Sequence, residues 1–354
     1  MKKTLFAALA IAAMASCSNE EIVEATNKEV IAFDNAFVDN STRAHYDPSY
    51  TNNNLFSGFN VYGFVEKASL FDGTLCQGTV ADGATEWGYQ GTQYWIPGAN
   101  YNFCAIAPAT VTDATTANWT KTSCSVANDG TINTTLSFTN NGTQDLLYAE
   151  HEQIQGKLTG NEKVDFTFRH LLSRVKFTFK NGYNATGATL KVKNIKINNP
   201  YKTANVALTA INTNWTDQAI ASDFTLDFGN ALSEQATSAT ADETIEYSLD
   251  KSSFNALFLI PGNAPSTAVE GTDGTTTNVV GYNVTFDVVL LVNGTEIKTY
   301  NREVVVNFNP EPGKSYNIST EITASNIDPD NAFEPIQFTV NALPDWGNDN
   351  TVNM

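Results

Sequence analysis

Val164-Asp165-Phe166-Thr167-Phe168-Arg169-His170-Leu171-Leu172-Ser173-Arg174-Val175-Lys176-Phe177-Thr178-Phe179 stands near the middle of the 354-residue chain. Its composition suits strands, and its length exceeds the roughly 5–6 residues of an ordinary one. The run reads as two strand segments that meet near His170. A domain boundary is expected just before them, leaving an N-terminal domain over 44–165 and a C-terminal domain over 166–354. Each is long enough to bury a core of its own.

Working outward to the C-terminus, Leu190-Lys191-Val192-Lys193-Asn194-Ile195-Lys196-Ile197 nearly alternates, with Asn194 shifting the phase. Phe224 to Phe228 alternates without a break, whereas 229–245 has no period and reads as an exposed loop. Ala256 to Ile260 is a buried run closed by Pro261-Gly262, and Tyr282 to Val292 and Glu296 to Phe308 flank the tight-hairpin signal Asn293-Gly294-Thr295. Another strand follows Pro312-Gly313, and the chain closes with Ile336 to Trp346 and a polar tail.

Toward the N-terminus, Phe56 to Val65 has the aromatic density of a core strand, and its glycines suggest bulges or close backbone contact. Gln93-Tyr94-Trp95-Ile96, the Pro97-Gly98 turn and Tyr101 to Pro108 carry a hairpin signal. Thr135 to Phe138 and Asp145 to Glu150 add short strands. Thr, Asn, Val and Phe are abundant while Leu, Lys and Glu are not, and no amphipathic helix stands out beyond the N-terminal segment. The fold class expected is all-β, two β-sandwiches in tandem.

The first residues have a separate logic. Lys2 and Lys3 precede an apolar run from Leu5 to Met14, and Ala15-Ser16-Cys17 follows, which is a secretory signal ending as a bacterial lipobox does. The run is about half as long as the roughly twenty residues a membrane span needs. Residues 1–16 are thus expected to be a signal peptide, with Cys17 the lipidation site. An acidic tether, Ser18-Asn19-Glu20-Glu21, follows. Glu29 to Val38 places Ile31 and Phe33 on one face and Val30 and Ala32 on the other, the pattern of a strand buried on both sides, with Phe37 further along it. Thr42-Arg43-Ala44 sits in a turn-forming stretch and offers an exposed arginine to proteolysis.

A formal charge of −18 disfavours nucleic acid and anionic surfaces. With Cys17 assigned to lipid, Cys76, Cys104 and Cys124 allow at most one internal disulfide, in any of three pairings. Their spacing does not resemble a zinc site, and buried free thiols are the plainer reading. Three histidines and the absence of a nucleophile elbow, phosphate loop or identifiable carboxylate pair leave no catalytic residue, metal ligand or cofactor site to name. His170 reads as a structural polar contact. Trp87, Tyr89, Tyr94 and Trp95 form an aromatic cluster that could stack on sugars, although core and hairpin packing explains it more simply.

The lipobox and Thr42-Arg43-Ala44, Asp145-Leu146-Leu147-Tyr148-Ala149, Phe168 to Val175, Leu259-Ile260-Pro261, Pro312-Gly313-Lys314-Ser315-Tyr316 and the late Val340 to Trp346, in this order and spacing, resemble the Bacteroidales fimbrillin family. The resemblance implies two transthyretin-like β-sandwich domains and a fimbrial subunit, not an enzyme. It implies arrival at the outer membrane as a lipoprotein and cleavage between Arg43 and Ala44 by an arginine-specific surface protease. The segment 17–43, carrying the strand with Val30, Ile31, Phe33 and Phe37, would then be removed. A strand donated by a neighbouring subunit would fill the groove, and the resemblance makes the C-terminal segment the donor, here Ile336, Phe338, Val340 and Leu343. Pro344 and the polar residues beyond it make poor donor material, so a tip or anchor subunit remains open beside a stalk subunit. The alternative is a non-polymerising surface lipoprotein that binds a glycan or a host or bacterial surface ligand.

Overall fold

The computed structural model describes residues 28–38, 58–81, 84–109, 118–183, 188–228, 244–247, 257–270, 275–328 and 335–343. Cys17, Arg43, Ala44 and the tail from Pro344 onward lie outside the described residues. The first half contributes strands β1 (Phe33–Val38), β2 (Gly58–Val65), β3 (Ala68–Ala81), β4 (Ala84–Tyr89) and β5 (Asn100–Ala107). It continues with β6 (Trp119–Val126), β7 (Ile132–Thr139), β8 (Leu147–Gln155) and β9 (Val164–His170). The second half contributes β10 (Ser173–Gly182), β11 (Ala188–Ile197), β12 (Tyr201–Leu208), β13 (Thr213–Ile220), β14 (Leu226–Asp227), β15 (Thr244–Tyr247) and β16 (Leu257–Leu259). After these come β17 (Ser266–Glu270), β18 (Thr276–Val280), β19 (Tyr282–Val292), β20 (Thr295–Val306), β21 (Ser315–Thr323) and β22 (Thr339–Leu343). The described elements are all strands, as the composition indicated.

The central stretch divides where the sequence reading placed the meeting of its two segments. Along β9 the buried residues are Val164, Phe166, Phe168 and His170, and along β10 they are Ser173, Val175, Phe177, Phe179 and Asn181. The two strands belong to different sheets. β9 completes a closed barrel in the order β1-β4-β3-β2-β5-β8-β9, whereas β10 lies in a sheet with β15, β16, β21 and β22. A division at 165/166 runs through β9, whose ladders to β1 and β8 tie it to the first half. The change of sheet falls at Leu171-Leu172, both fully buried.

Three apolar cores follow from this layout. The barrel encloses Ile31, Phe33, Phe59, Phe71, Phe103 and Phe166 among others. Gly63 is needed in that wall, because a Cβ there would stand 2.6 Å from the ring of Phe71 and 2.8 Å from that of Phe103. A sheet ordered β13-β12-β7-β6 forms a second layer, packing Leu136, Phe138, Val206 and Leu208 against Tyr62, Ile106 and Tyr148 of the barrel wall. The hairpin β12–β13 comes from the second half but pairs with β7 of the first, so the two halves share this layer. The third core lies between the β10 sheet and the sheet β14-β11-β19-β20, around Phe177, Phe179, Val192, Phe286 and Ile318.

Local signals hold up in detail. Asn293 and Gly294 have φ of 50° and 78° between β19 and β20, the paired positive φ of a tight hairpin turn. Asn194 has φ 54° beside a register shift between Lys193 and Lys196, which is why Val192 and Ile195, three apart, both point inward. The hairpin expected over 93–108 is not formed. β5 pairs with β2 and β8, and Gln93 to Trp95 lies instead beside Glu29 to Ile31. The sequence signal marked a genuine turn at Gly98 but could not say which edge the preceding residues would meet.

Candidate functional site

β1 is the strand that closes the barrel. It runs parallel to β9, with Phe33 opposite Val164 and Val38 opposite Phe168, and meets β4 antiparallel at Phe33 and Trp87. In the order of the barrel it is the link between β4 and β9. A register shift between Asp34 and Ala36 interrupts its strict alternation, and Phe37 stands opposite Thr167.

The residues just before β1 extend its seat. Ile31 N donates to Gln93 O at 2.9 Å, Trp95 N to Glu29 O at 3.0 Å, and Val164 N to Ala32 O at 2.8 Å. The Tyr89 hydroxyl donates to Ile31 O at 2.8 Å. Ile31 is fully buried, and Phe33, 2% exposed, has ring centroids of Phe71 and Tyr89 at 5.5 Å, Phe166 at 5.9 Å and Phe103 at 6.0 Å. Val30 is 45% exposed and Ala32 half-buried. The expectation of burial on both faces is therefore corrected: a barrel wall has one inner face, and Ile31 and Phe33 occupy it.

A polar latch anchors the start of this segment. Glu29 Oε2 accepts from Asn161 N at 2.9 Å and from Asn161 Nδ2 at 2.6 Å. These bonds, the backbone one first, hold the exposed Glu29 carboxyl below its ordinary value of 4.5. A depressed carboxylate contributes stability that is present above the unfolded value and is lost as pH falls through the folded one. Glu29→Gln keeps an acceptor and loses the charge. Its melting temperature is expected to lie below that of the unsubstituted chain at neutral pH, with the gap closing as pH drops below 4.5 in parallel thermal melts. Asn161 carries no mark in the sequence, and Gln93 reads there only as part of a hairpin, because a polar residue carries no sign of the distant backbone it will meet.

The C-terminal segment is seated on its own chain. β22 lies at the end of its sheet, antiparallel to β21, with Val340 opposite Ile318 and Leu343 opposite Ser315. Ile336 is 3% exposed, and Phe338 packs its ring near Phe286 at 5.8 Å, Phe179 at 5.9 Å and Phe177 at 6.0 Å. Val340 packs on the same core. Ile336-Gln337-Phe338 repeats the isoleucine-to-phenylalanine spacing of Ile31-Ala32-Phe33.

The other sequence candidates resolve into structure. Trp87 and Trp95 are buried in the barrel core at 8% and 5% exposure, and Tyr94 alone of the cluster is well exposed, so no aromatic platform for sugar stacking is assembled. Buried His170 pairs through Nδ1 with buried Asp145, whose other oxygen accepts from Leu146 N, which gives the histidine the structural contact expected of it. Among the described residues no group of three or more His, Cys, Asp and Glu is placed to hold a metal ion.

A family model described as fimbrillin-like matches residues 42–341. The chain belongs to the fimbrillin-like family. As a fimbrillin-like protein it is a structural subunit of surface fimbriae and not an enzyme. The matched span opens just before Arg43 and so leaves β1 outside it. No curated protein matches the chain. Among solved structures it is similar to a protein from Bacteroides ovatus ascribed to cell adhesion, with 14% identity over 90% of this chain and 98% of that one and a TM-score of 0.44. A fimbrial assembly protein from Parabacteroides distasonis matches at 8% identity over 89% and 96%, TM-score 0.40. The fimbrial anchor protein Mfa2 from Porphyromonas gingivalis matches at 10% identity over 89% and 98%, TM-score 0.32.

Proposed function

We propose that this fimbrillin-like subunit polymerises by strand exchange at the seat of β1. One observation carries the reading: the barrel is closed by the most N-terminal described strand, and Arg43 lies in the connection between that strand and β2. A single cut there leaves β1 held by non-covalent contacts alone. Its loss would expose unpaired backbone groups along β4 and β9 and an apolar slot lined by Phe71, Tyr89, Phe103 and Phe166. Such an edge is completed most directly by another strand.

In this reading the chain is exported with signal peptide 1–16, lipidated at Cys17, carried to the outer membrane, and cut between Arg43 and Ala44 by an arginine-specific surface protease. The donor is the C-terminal segment of a neighbouring subunit, with Ile336 and Phe338 taking the places of Ile31 and Phe33 and Val340 and Leu343 extending the strand. The donor must first leave its seat beside β21, so this reading requires closure of the vacated barrel to outweigh that cost. Head-to-tail joints of this kind do not close on themselves and so build fibres, which present the subunit for adhesion. In this reading the tandem transthyretin-like units are the barrel wall with its covering sheet, to which β12 and β13 belong, and the pair of sheets around β10 and β11. The chain first passes from one to the other at Leu171-Leu172.

The test is digestion of the full chain carrying Cys17→Ser with an arginine-specific protease, followed by N-terminal sequencing and size analysis. A first cut that leaves Ala44 at the N-terminus, then laddered oligomers, is the expected result. Truncation after Pro335 is expected to abolish the ladder. An Arg43 bond that resists while the protein stays monomeric would overturn the reading in favour of a non-polymerising surface lipoprotein.

A further inference from the structure

Three cysteines follow the lipidation residue, and sequence alone leaves their pairing open. The fold separates them. Cys76 on β3 lies opposite Phe59 and faces the barrel interior, in the same core as Phe103. Cys104 follows Phe103 on β5 and so points out of the opposite face of the wall, into the core shared with the covering sheet. Cys124, on β6 of that sheet, packs against the same core. The Sγ atoms of Cys104 and Cys124 are unbonded and 3.7 Å apart, and the Thr134 hydroxyl lies 3.8 Å and 3.3 Å from them. The barrel wall thus screens Cys76 from a pair that the packing of the two layers has already brought together.

We propose that Cys104 and Cys124 form a disulfide in the mature surface protein, cross-linking the barrel wall to its covering sheet. A disulfide needs its sulfurs at about 2.05 Å, and the approach falls to the strand better able to move. β6 is at the edge of its sheet, paired on one side by β7, and its register is already shifted between Lys121 and Ser123. Cell-surface proteins sit where disulfides persist. This inference does not depend on strand exchange, since neither cysteine touches the seat of β1.

The two thiols divide the chemistry. Cys124 is only partly buried, and the Cys104 thiol, the Thr134 hydroxyl and nearby Lys121 favour its thiolate, whereas burial pushes the Cys104 thiol well up. The oxidant is a disulfide of the Cys-x-x-Cys thiol-oxidase class, with oxidised glutathione as its laboratory stand-in. The Cys124 thiolate attacks one oxidant sulfur, forming a mixed disulfide and expelling the other sulfur as a thiolate. Cys104 then loses its proton and attacks Cys124 Sγ, expelling the second oxidant sulfur. Two electrons pass from the cysteine pair to the oxidant, whose two sulfurs take up the two thiol protons.

The experiment uses the full chain with Cys17→Ser, oxidised with glutathione disulfide, alkylated in denaturant without reductant, and mapped by peptide mass spectrometry. The expected result is one linked peptide pair joining Cys104 to Cys124, with Cys76 alkylated. Reductant is expected to lower the melting temperature of the oxidised protein by roughly 5–10 °C, the effect of opening a loop of this size. Cys124→Ala should lose both the linked pair and the reductant shift. Three alkylated cysteines after oxidation, or a linkage involving Cys76, would overturn the proposal.

Discussion

Phe33→Ala is expected to destabilise the unprocessed chain by about 3–5 kcal/mol, the range for emptying a buried phenylalanine site. The ring is 2% exposed and meets four others at 5.5–6.0 Å, from β3, from the end of β4, from β5 and from β9. It therefore joins the two edges that β1 bridges to the far wall of the barrel. Part of the loss is transfer of the side chain, and part is the aromatic contacts, each about 0.5–1.5 kcal/mol beyond their area. Val30→Ala serves as the internal control. Val30 lies on the same segment but is 45% exposed, and a change within about 0.5 kcal/mol is expected. Urea unfolding of both variants checks the contrast. Repeating it after cleavage at Arg43 and removal of the N-terminal fragment adds a functional readout: the difference between Phe33→Ala and the unsubstituted chain should vanish, since neither then carries residue 33. Equal losses in Phe33→Ala and Val30→Ala would mean that the segment is not seated by its inner face.

The contrast between these residues shows how far the sequence could be read. Alternation told which residues of β9 and β10 face inward, and Asn293-Gly294 told where β19 turns back, because those features depend on neighbours a few positions away. The separation of Ile31 and Phe33 from Val30 and Ala32 was equally plain. What pattern could not say was whether the second face is covered, since that depends on which layer lies beyond it. Pairing partners were hidden for a related reason. Backbone hydrogen bonds carry no residue code, so nothing in Gln93 to Trp95 marks it as the partner of Glu29 to Ile31, and nothing in Tyr201 to Leu208 assigns it to β7. The parallel ladder of β1 with β9 joins segments separated in the chain by seven other strands, β2 to β8. The cysteines make the same point: their number limited the pairings, and only the two faces of β5 chose among them.

A synthetic peptide spanning Glu29 to Val38 is expected to bind the Arg43-processed chain and to suppress its laddered oligomers when present in excess. The seat predicts the peptide's requirements. Ile31 and Phe33 must enter the barrel together, each bringing roughly 1.5–3 kcal/mol of apolar burial, while the backbone completes ladders to β4 and β9 and Glu29 meets Asn161. Register is demanding, since a slip by one residue would turn Val30 and Ala32 inward and leave the slot between the aromatic rings unfilled. A peptide with Ile31 and Phe33 both changed to aspartate should therefore fail at any concentration at which the native peptide works. A second peptide, Ile336 to Leu343, separates the site from the donor. It carries the same isoleucine-to-phenylalanine spacing, so competition by both peptides supports exchange between this seat and the C-terminal segment. Competition by the first alone would keep the seat and assign the donor to another chain or another segment. If oligomers form undiminished in the presence of either peptide, growth occurs elsewhere on the molecule, and the edges that β20 and β6 leave unpaired among the described residues become the surfaces to block.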